Sequence, residues 1–364
     1  MSSDQDHAHM ARAIELALQP SFTSPNPRVG AVLVRDGEVL SQGIHRGSGT
    51  PHAETEALRG VDARAATMYV NLEPCAHHGR TPPCAPAVVD AGVARVVAAM
   101  EDPDARARGR GFAYLRDRGV EVTTGVLEDD ARAVNREWAH QRLTGRPWVT
   151  LKLALSLDGR LAAPDGSARW ITGPGARREV HARRRASDAV MVGAGTVLAD
   201  DPSLRVNDVA PTRQPATLVV DAAGRVPMGA RLFSNHDVVV ATTESAPPAV
   251  REGWAELGAD VLVLAGSEGG VDLAALLDAL GGGQGARRDW VELLCEGGAA
   301  LATSLLSLGL VDRLSLHHGP VLLGAGGPAV GPVGVVSMPE ALRWSCEEVR
   351  RIGDDVIATY RPPG

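Results

Sequence analysis

Apolar residues recur every three to four positions over residues 7–19 (Met10, Ala13, Ile14, Ala17), which predicts a helix that Pro20 ends. The rigid loop Ser24-Pro25-Asn26-Pro27 then leads into a strand over 29–34, and Arg35-Asp36-Gly37 turns the chain into a hairpin partner over 38–42. Further along, the pattern predicts helices over 52–59, 84–91 (closed by Gly92), 111–118 and 129–141. Strands are predicted over 68–72, 94–99 and 120–124. This is an α-β-α layered unit, and it ends at the turn Thr144-Gly145-Arg146-Pro147, giving domains over 1–146 and 147–364.

The second half starts with a strand over 148–155 and a turn at Asp158-Gly159. A wholly apolar strand over 189–192, ending in Gly193-Ala194-Gly195-Thr196, is followed by further buried strands over 216–221, 237–241, 261–264 and 290–294. They are interspersed with helices over 174–185, 248–257, 273–280 and 299–308. Such alternation, with glycines at strand ends, predicts a largely parallel sheet covered on both faces. From Leu314 on, the pattern reads as antiparallel strands added at one edge, and Gly281-Gly282-Gly283-Gln284-Gly285 reads as a mobile surface loop.

Composition narrows the classes. A chain of 364 residues accommodates two domains, and at 3% aromatics its cores must be built from Ala, Val and Leu. The formal charge is −7, and residues 1–146 carry 17 basic against 19 acidic side chains, so a sequence-independent grip on nucleic acid is not expected. Neither a long uncharged apolar run nor the plan of a signal peptide is present, so no membrane partner and a cytoplasmic setting are expected. Four cysteines make no disulfide framework. Of 37 basic residues only Lys152 is a lysine, a group whose pKa shifts more readily than that of arginine.

The chemistry concentrates between Pro51 and Cys84. Pro51-His52-Ala53-Glu54 is followed by Glu73-Pro74-Cys75 and, with eight residues between the two cysteines, by Cys84. One His and two Cys hold zinc and leave its fourth position open, the layout of a catalytic site. The pattern matches the zinc-deaminase signature His-x-Glu with Pro-Cys-x-x-Cys, except for the wider cysteine spacing. His52 and Cys84 fall near predicted helix N-termini, where the partial positive charge favours a thiolate and a neutral imidazole. Zinc there would lower the pKa of a water toward neutrality for attack on an amidine carbon bearing an amino group. Glu54 would take the water proton and pass it to the ring nitrogen and then to departing ammonia. His77, His78 and Arg80, lying between two ligands, are forced near the substrate. The alternative is a structural zinc closed by His77 or His78. Cys295 and Cys346 lack partners at ligand spacing and are assigned no chemistry.

Pro25-Asn26-Pro27-x-Val29-Gly30, Pro51-His52-Ala53-Glu54 and the run from Leu72 to Cys84 closely resemble the bifunctional deaminase–reductase family of riboflavin biosynthesis, whose own cysteine spacing this is. Lys152-Leu153-Ala154-x-Ser156-Leu157-Asp158-Gly159, Trp170-Ile171-Thr172 and the segment from Thr196 to Pro202 extend the resemblance over nearly the whole chain. It implies an α/β protein with an N-terminal cytidine-deaminase-like α-β-α domain and a C-terminal dihydrofolate-reductase-like α/β domain. It implies a small-molecule partner, a diamino-ribosylamino-pyrimidinone 5′-phosphate, and assembly as a homo-oligomer. The first domain would remove the 2-amino group, with Zn2+ on His52, Cys75 and Cys84, Glu54 as proton shuttle, and Asn26, His77 and Arg80 toward the substrate. The second would use NADPH to reduce the ribosyl chain to ribityl. By position, Ala154, Trp170, Thr196, Asp200, Ser234 and the segment Gly298, Ala299, Ala300, Leu301, Ala302, Thr303 and Ser304 would bind NADPH. A helix start in that segment suits a phosphate. Ala168, Arg184, Leu204 and Glu296 fall at substrate positions, Arg184 as a phosphate partner.

Lys152 and Glu296 are the candidates for moving the proton that reduction requires, the alternative being an ion pair that ties two strands together. One departure stands out: Asn207 occupies a position where the family tends to carry an arginine. Arg205, two residues earlier, would lie on the same face of a strand and reach the same phosphate. A nucleic-acid deaminase would share the zinc chemistry but needs a basic channel and has no use for the second domain. A metal-stabilised module that senses a nucleotide is the rival from another class. Gly193-Ala194-Gly195 lacks the third glycine of a dinucleotide fingerprint, so the cofactor assignment leans on the resemblance.

Overall fold

The computed structural model describes residues 4–79, 81–207, 213–267 and 270–363 and divides into two units, Met1–Gly145 and Arg146–Gly364. In the first, Asp36 and Gly37 take φ of 54° and 80°, the left-handed pair a two-residue hairpin demands. They join β1 (Gly30–Arg35) to β2 (Glu38–Ile44). With β3 (Thr67–Val70), β4 (Arg95–Ala98) and β5 (Glu121–Thr124) these form one sheet in the order β2-β1-β3-β4-β5, parallel from β3 onward.

Helices α1 (Asp4–Leu18) and α2 (Ala53–Leu58) cover opposite faces of that sheet, and two glycines make it possible. A Cβ on Gly30 would stand 2.1 Å from the Ala13 carbonyl oxygen of α1, and one on Gly43 would stand 1.9 Å from that of Ala53 in α2. Gly43 pairs with Ala31 across the hairpin, so it faces away from Gly30. α3 (Cys84–Asp90) and α4 (Arg110–Arg116) pack together beside the sheet's parallel half. The helix predicted over 129–141 is two: α5 (Glu128–Val134) and α6 (Arg136–Thr144). Asn135 breaks it, because its buried side chain accepts from Arg28 N–H at 2.8 Å and donates to the Arg28 carbonyl at 3.0 Å.

The second unit is built on β6 (Trp148–Leu155), β7 (Ala189–Gly193), β8 (Ala216–Val220), β9 (Val238–Thr242) and β10 (Asp260–Val263). A two-stranded ribbon, β11 (Gly266–Ser267) and β12 (Gly270–Val271), stands apart. β13 (Glu292–Cys295), β14 (Arg313–His318), β15 (Ser345–Ile352) and β16 (Asp355–Arg361) complete a nine-stranded sheet in the order β10-β9-β8-β7-β13-β6-β14-β16-β15. The seven strands from β10 to β14 are parallel. Antiparallel pairing therefore begins only at β16, because a helical crossover returns β14 to the same end of the sheet as β6.

Helices α7 (Pro174–Ala186), α9 (Pro248–Glu256), α10 (Leu273–Leu280) and α11 (Ala299–Ser307) cover the sheet. An unpredicted short helix, α8 (Ala194–Asp200), grows directly out of β7, where the sequence reads as a strand end. Along β7 the side chains alternate: Val190 and Val192 join the cluster around Trp254, while Met191 joins the one around Leu276 and Leu293. Both faces are thus sealed, and the carboxyl ends of β6, β7 and β13 are left open, where ligands bind in sheets of this kind. Among the described residues no helix is long and apolar enough to cross a membrane.

Candidate metal centre and reductive cleft

His52 stands at the N-cap of α2, Cys84 opens α3, and Cys75 lies in the loop after β3. Their ligand atoms all lie within 4.8 Å of one another. Nδ1 of His52 is 3.2 Å from Sγ of Cys84 and 3.6 Å from Sγ of Cys75. On the ring's far side, Nε2 is 3.0 Å from Thr81 Oγ1, a contact that turns Nδ1 toward the sulfurs. Hydrogen bonds from Cys84 and His52 hold the Cys75 thiol down to about 4, while its bond to Cys75, with burial, pushes Cys84 up. Two soft sulfurs and an imidazole sharing protons at close range are a donor set that a divalent cation can take over, and zinc fits it.

Glu54 lies in the first turn of α2, one residue beyond Ala53, and is 4% exposed. Burial, then the charge of Cys75, pushes its carboxyl up to about 7, in the range of a group that gives and takes protons near neutrality. Asn26 is oriented by a residue the sequence reading passed over. The buried His45 donates from Nδ1 to the Pro51 carbonyl at 3.0 Å, so its Nε2 accepts from Asn26 Nδ2 at 2.9 Å. Burial holds the His45 pKa down, consistent with that neutral ring. His77 and His78 are exposed and outside the described donor group; Arg80 lies outside the described residues. Glu73, quoted only as part of a motif, proves to be buried. Its carboxylate accepts from the backbone N–H groups of Asp102, Gly109, Gly111 and Phe112 at 2.8–3.3 Å, anchoring the start of α4 beside Cys75.

In the second unit a cleft of about 530 Å³ opens at the carboxyl ends of the strands. Of the predicted residues it gathers Lys152, Ala154, Ala168, Trp170, Arg184, Thr196, Asp200, Leu204, Asn207, Glu296 and Gly298. Trp170 is 66% exposed, with the Arg177 guanidinium 4.4 Å from its ring centre. Thr196 Oγ1 accepts from Gly298 N–H at 2.9 Å and so ties α8 to the start of α11.

Other predicted residues lie outside the cleft lining. Ser234 is not in the cleft wall: its hydroxyl donates to the Arg231 carbonyl at 2.8 Å, and Arg231 lines the cleft instead. Beyond Gly298 the segment Ala299 to Ser304 is the body of α11. There Leu301 and Ala302 are buried, and the Thr303 and Ser304 hydroxyls are spent on Ala299 and Ala300 carbonyls. Arg205 does not share a strand face with Asn207. The segment is no strand, and Leu204 takes φ of 56°, so Asn207 lines the cleft while Arg205 is exposed outside it. Arg184 is engaged, since its guanidinium forks onto both oxygens of Glu296 at 2.6 and 3.0 Å. Glu296 is therefore paired with Arg184, with Lys152 beside it. The register Cys295 to Leu151 brings Glu296 next to Lys152, and burial holds the lysine's pKa below its usual value.

A layered zinc-site domain and a separate parallel sheet with a cleft at its strand ends define a two-part enzyme of deaminase and reductase class. The family model described as cytidine and deoxycytidylate deaminase zinc-binding region matches residues 3–100, and that of the RibD C-terminal domain matches residues 147–358. The riboflavin biosynthesis protein RibD of Escherichia coli K12 is 40% identical over 97% of this chain and 98% of its own. The Acinetobacter baumannii RibD structure superposes with a TM-score of 0.90, at 38% identity and 99% coverage of both chains. A Thermotoga maritima structure, named as a diaminohydroxyphosphoribosylaminopyrimidine deaminase/5-amino-6-(5-phosphoribosylamino)uracil reductase, does so with 0.85 at 32% identity and 99% coverage of both. The chain belongs to the RibD family, the bifunctional deaminase–reductases of riboflavin biosynthesis, and carries both of its domains.

Proposed function

We propose that this chain deaminates 2,5-diamino-6-(5-phosphoribosylamino)pyrimidin-4(3H)-one and then reduces the ribosyl chain of the product, each unit performing one step. The observation that carries the reading is the convergence of His52 Nδ1 with the Cys75 and Cys84 sulfurs, with the buried Glu54 two residues past His52 in the first turn of the same helix. His52, Cys75 and Cys84 would hold zinc, and the zinc would supply an acidified water for attack at the carbon bearing the amino group. Glu54 takes the proton that this water gives up and returns it to the ring nitrogen and to the leaving ammonia. Asn26, fixed by His45, and His77 would contact the pyrimidine or its ribose.

In the second unit, Trp170, Thr196, Asp200 and the start of α11 would hold NADPH, which would supply the hydride to C1′. Lys152 gives a proton to the ribose ring oxygen as the C1′–O bond breaks, so that the sugar opens. Glu296, held charged by Arg184, keeps the Lys152 ammonium favourable in a wall that otherwise disfavours charge. Homo-oligomeric assembly and a cytoplasmic setting belong to the same reading, the first testable by sedimentation of the purified protein.

The test supplies the diaminopyrimidinone ribosyl phosphate with and without NADPH, following ammonia, NADPH absorbance and bound zinc together. Ammonia release without NADPH, and NADPH oxidation only after deamination, are expected. Chelation should stop ammonia release while the deaminated compound is still reduced. Neither signal with zinc bound would sink the reading and favour the nucleotide-sensing module.

A further inference from the structure

Lys152 is the side chain at which two cavities of the reductase unit meet. Besides the open cleft, it lines a small cavity of about 10 Å³, walled on its polar sides by Thr150, Arg183, Ser315 and His317. That volume suits a single water. The parallel register sets Ser315 opposite Lys152 and His317 opposite Ala154, so the four side chains share one face of the sheet. Ser315 is 4% exposed and His317 is 2% exposed. Ser315 Oγ and His317 Nε2 are 3.1 Å apart, while Nδ1 of His317 is buried with no hydrogen-bond partner among the described residues. A buried ring nitrogen without a partner is costly, and the cavity is where a partner can sit.

The charges around this ring come from four directions. Lys152 lies on β6, Arg183 on α7 and Arg350 on β15, with Glu296 after β13 as the anion. Glu179 of α7 holds Arg350 at 2.9 Å and Arg183 at 3.7 Å. Burial, then the Lys152 and Arg183 charges, holds the His317 pKa down to about 3, so the ring is neutral near pH 7 and keeps one acceptor nitrogen.

We infer that His317 is a positioning residue for Lys152, its neutral ring accepting a hydrogen bond from the Lys152 ammonium through one water held in the small cavity. Nε2–H then donates to Ser315 Oγ, and the lone pair of Nδ1 faces the water. The chain Lys152–water–His317–Ser315 fixes Nζ at the cleft wall and favours the charged form that gives up the proton. This rests on the role proposed above for Lys152.

The full-length protein is assayed for reduction of the deaminated substrate at saturating NADPH across the pH range, with NADPH affinity measured by fluorescence. His317→Leu is expected to lower kcat about tenfold, with KM for both reactants nearly unchanged. The alkaline limb of kcat should move down by about one pH unit, because an ammonium that has lost an acceptor sheds its proton more readily. His317→Gln, whose amide oxygen accepts, is expected to recover most of the rate, and the shorter His317→Asn is not. Wild-type kcat and an unmoved alkaline limb in His317→Leu would overturn the inference. Should that variant fail to bind NADPH, equal rates and limbs in the Gln, Asn and wild-type proteins would overturn it instead. Normal reduction by Lys152→Met is a distinct outcome, which removes the role of Lys152 itself.

Discussion

Arg184 and Glu296 meet through two parallel hydrogen bonds, Nε to Oε1 at 2.6 Å and Nη2 to Oε2 at 3.0 Å, in the wall of the reductive cleft. Burial alone would raise the Glu296 pKa, yet the Arg184 charge and hydrogen bonds outweigh it and keep the carboxyl below its usual value. Removing the arginine leaves a buried carboxylate without its partner. Arg184→Met is expected to destabilise the reductase unit by about 3–5 kcal/mol and to abolish reduction. Urea unfolding should show Arg184→Met with Glu296→Gln to be less damaged than Arg184→Met alone, since the stranded charge is gone.

Thr81 acts on the metal centre through His52. With Oγ1 3.0 Å from Nε2, it fixes the ring so that Nδ1 points at the two sulfurs. Thr81→Val keeps the shape and loses the hydrogen bond. Zinc affinity, read by competition with a chromogenic chelator, should fall about 10–100-fold. Ammonia release should return when zinc is supplied in excess.

Gly43 sets how closely α2 lies on the sheet. A Cβ there would stand 1.9 Å from the Ala53 carbonyl oxygen, so Gly43→Ala must push away the helix that carries Glu54 and is capped by His52. A cost of about 1–3 kcal/mol or more is expected in the first unit. Deamination should collapse while reduction of supplied deaminated compound holds. Equal loss of both activities would show that the two units do not respond separately.

His317 gives a pH signature in stability. Its folded pKa of about 3 lies below the ordinary value of 6.5, so between the two the unfolded chain binds more protons. The group's contribution is therefore complete above pH 6.5 and declines as pH falls toward 3, at up to about 1.4 kcal/mol per pH unit. Relative to His317→Gln, the wild-type reductase unit should lose about 2 kcal/mol between pH 6.5 and 4.5. Parallel urea titrations at the two pH values measure this directly.

Where a segment's fate was decided locally, the sequence was enough. β6 and α10 appear with the bounds their patterns predict, since each alternation is uninterrupted and turn residues flank it. The metal trio was legible too, because two of its members share one short segment and the third has Glu54 beside it. Contacts from far along the chain were not. The break at Asn135 depends on Arg28, 107 residues away, and α8 offered little to read: seven residues, a glycine at its second position, and only Ala194 and Val197 buried. His45 and His317 carry no motif and Thr81 is only one position within one; each matters through the side chain it meets. The strand assumed for Arg205 and Asn207 is absent, because the positive φ of Leu204 turns the chain.

A chain with 36 arginines and one lysine has a single ε-amine, and that amine sits between the reductive cleft and the small cavity behind it. Lysine labelled with 15N or 13C in the side chain would therefore give one resonance set from the whole 364-residue protein. The protonation, solvent exchange and ligand response of the reductase centre could be followed in solution without assigning any other residue. The arginine bias makes this protein its own site-specific spectroscopic probe.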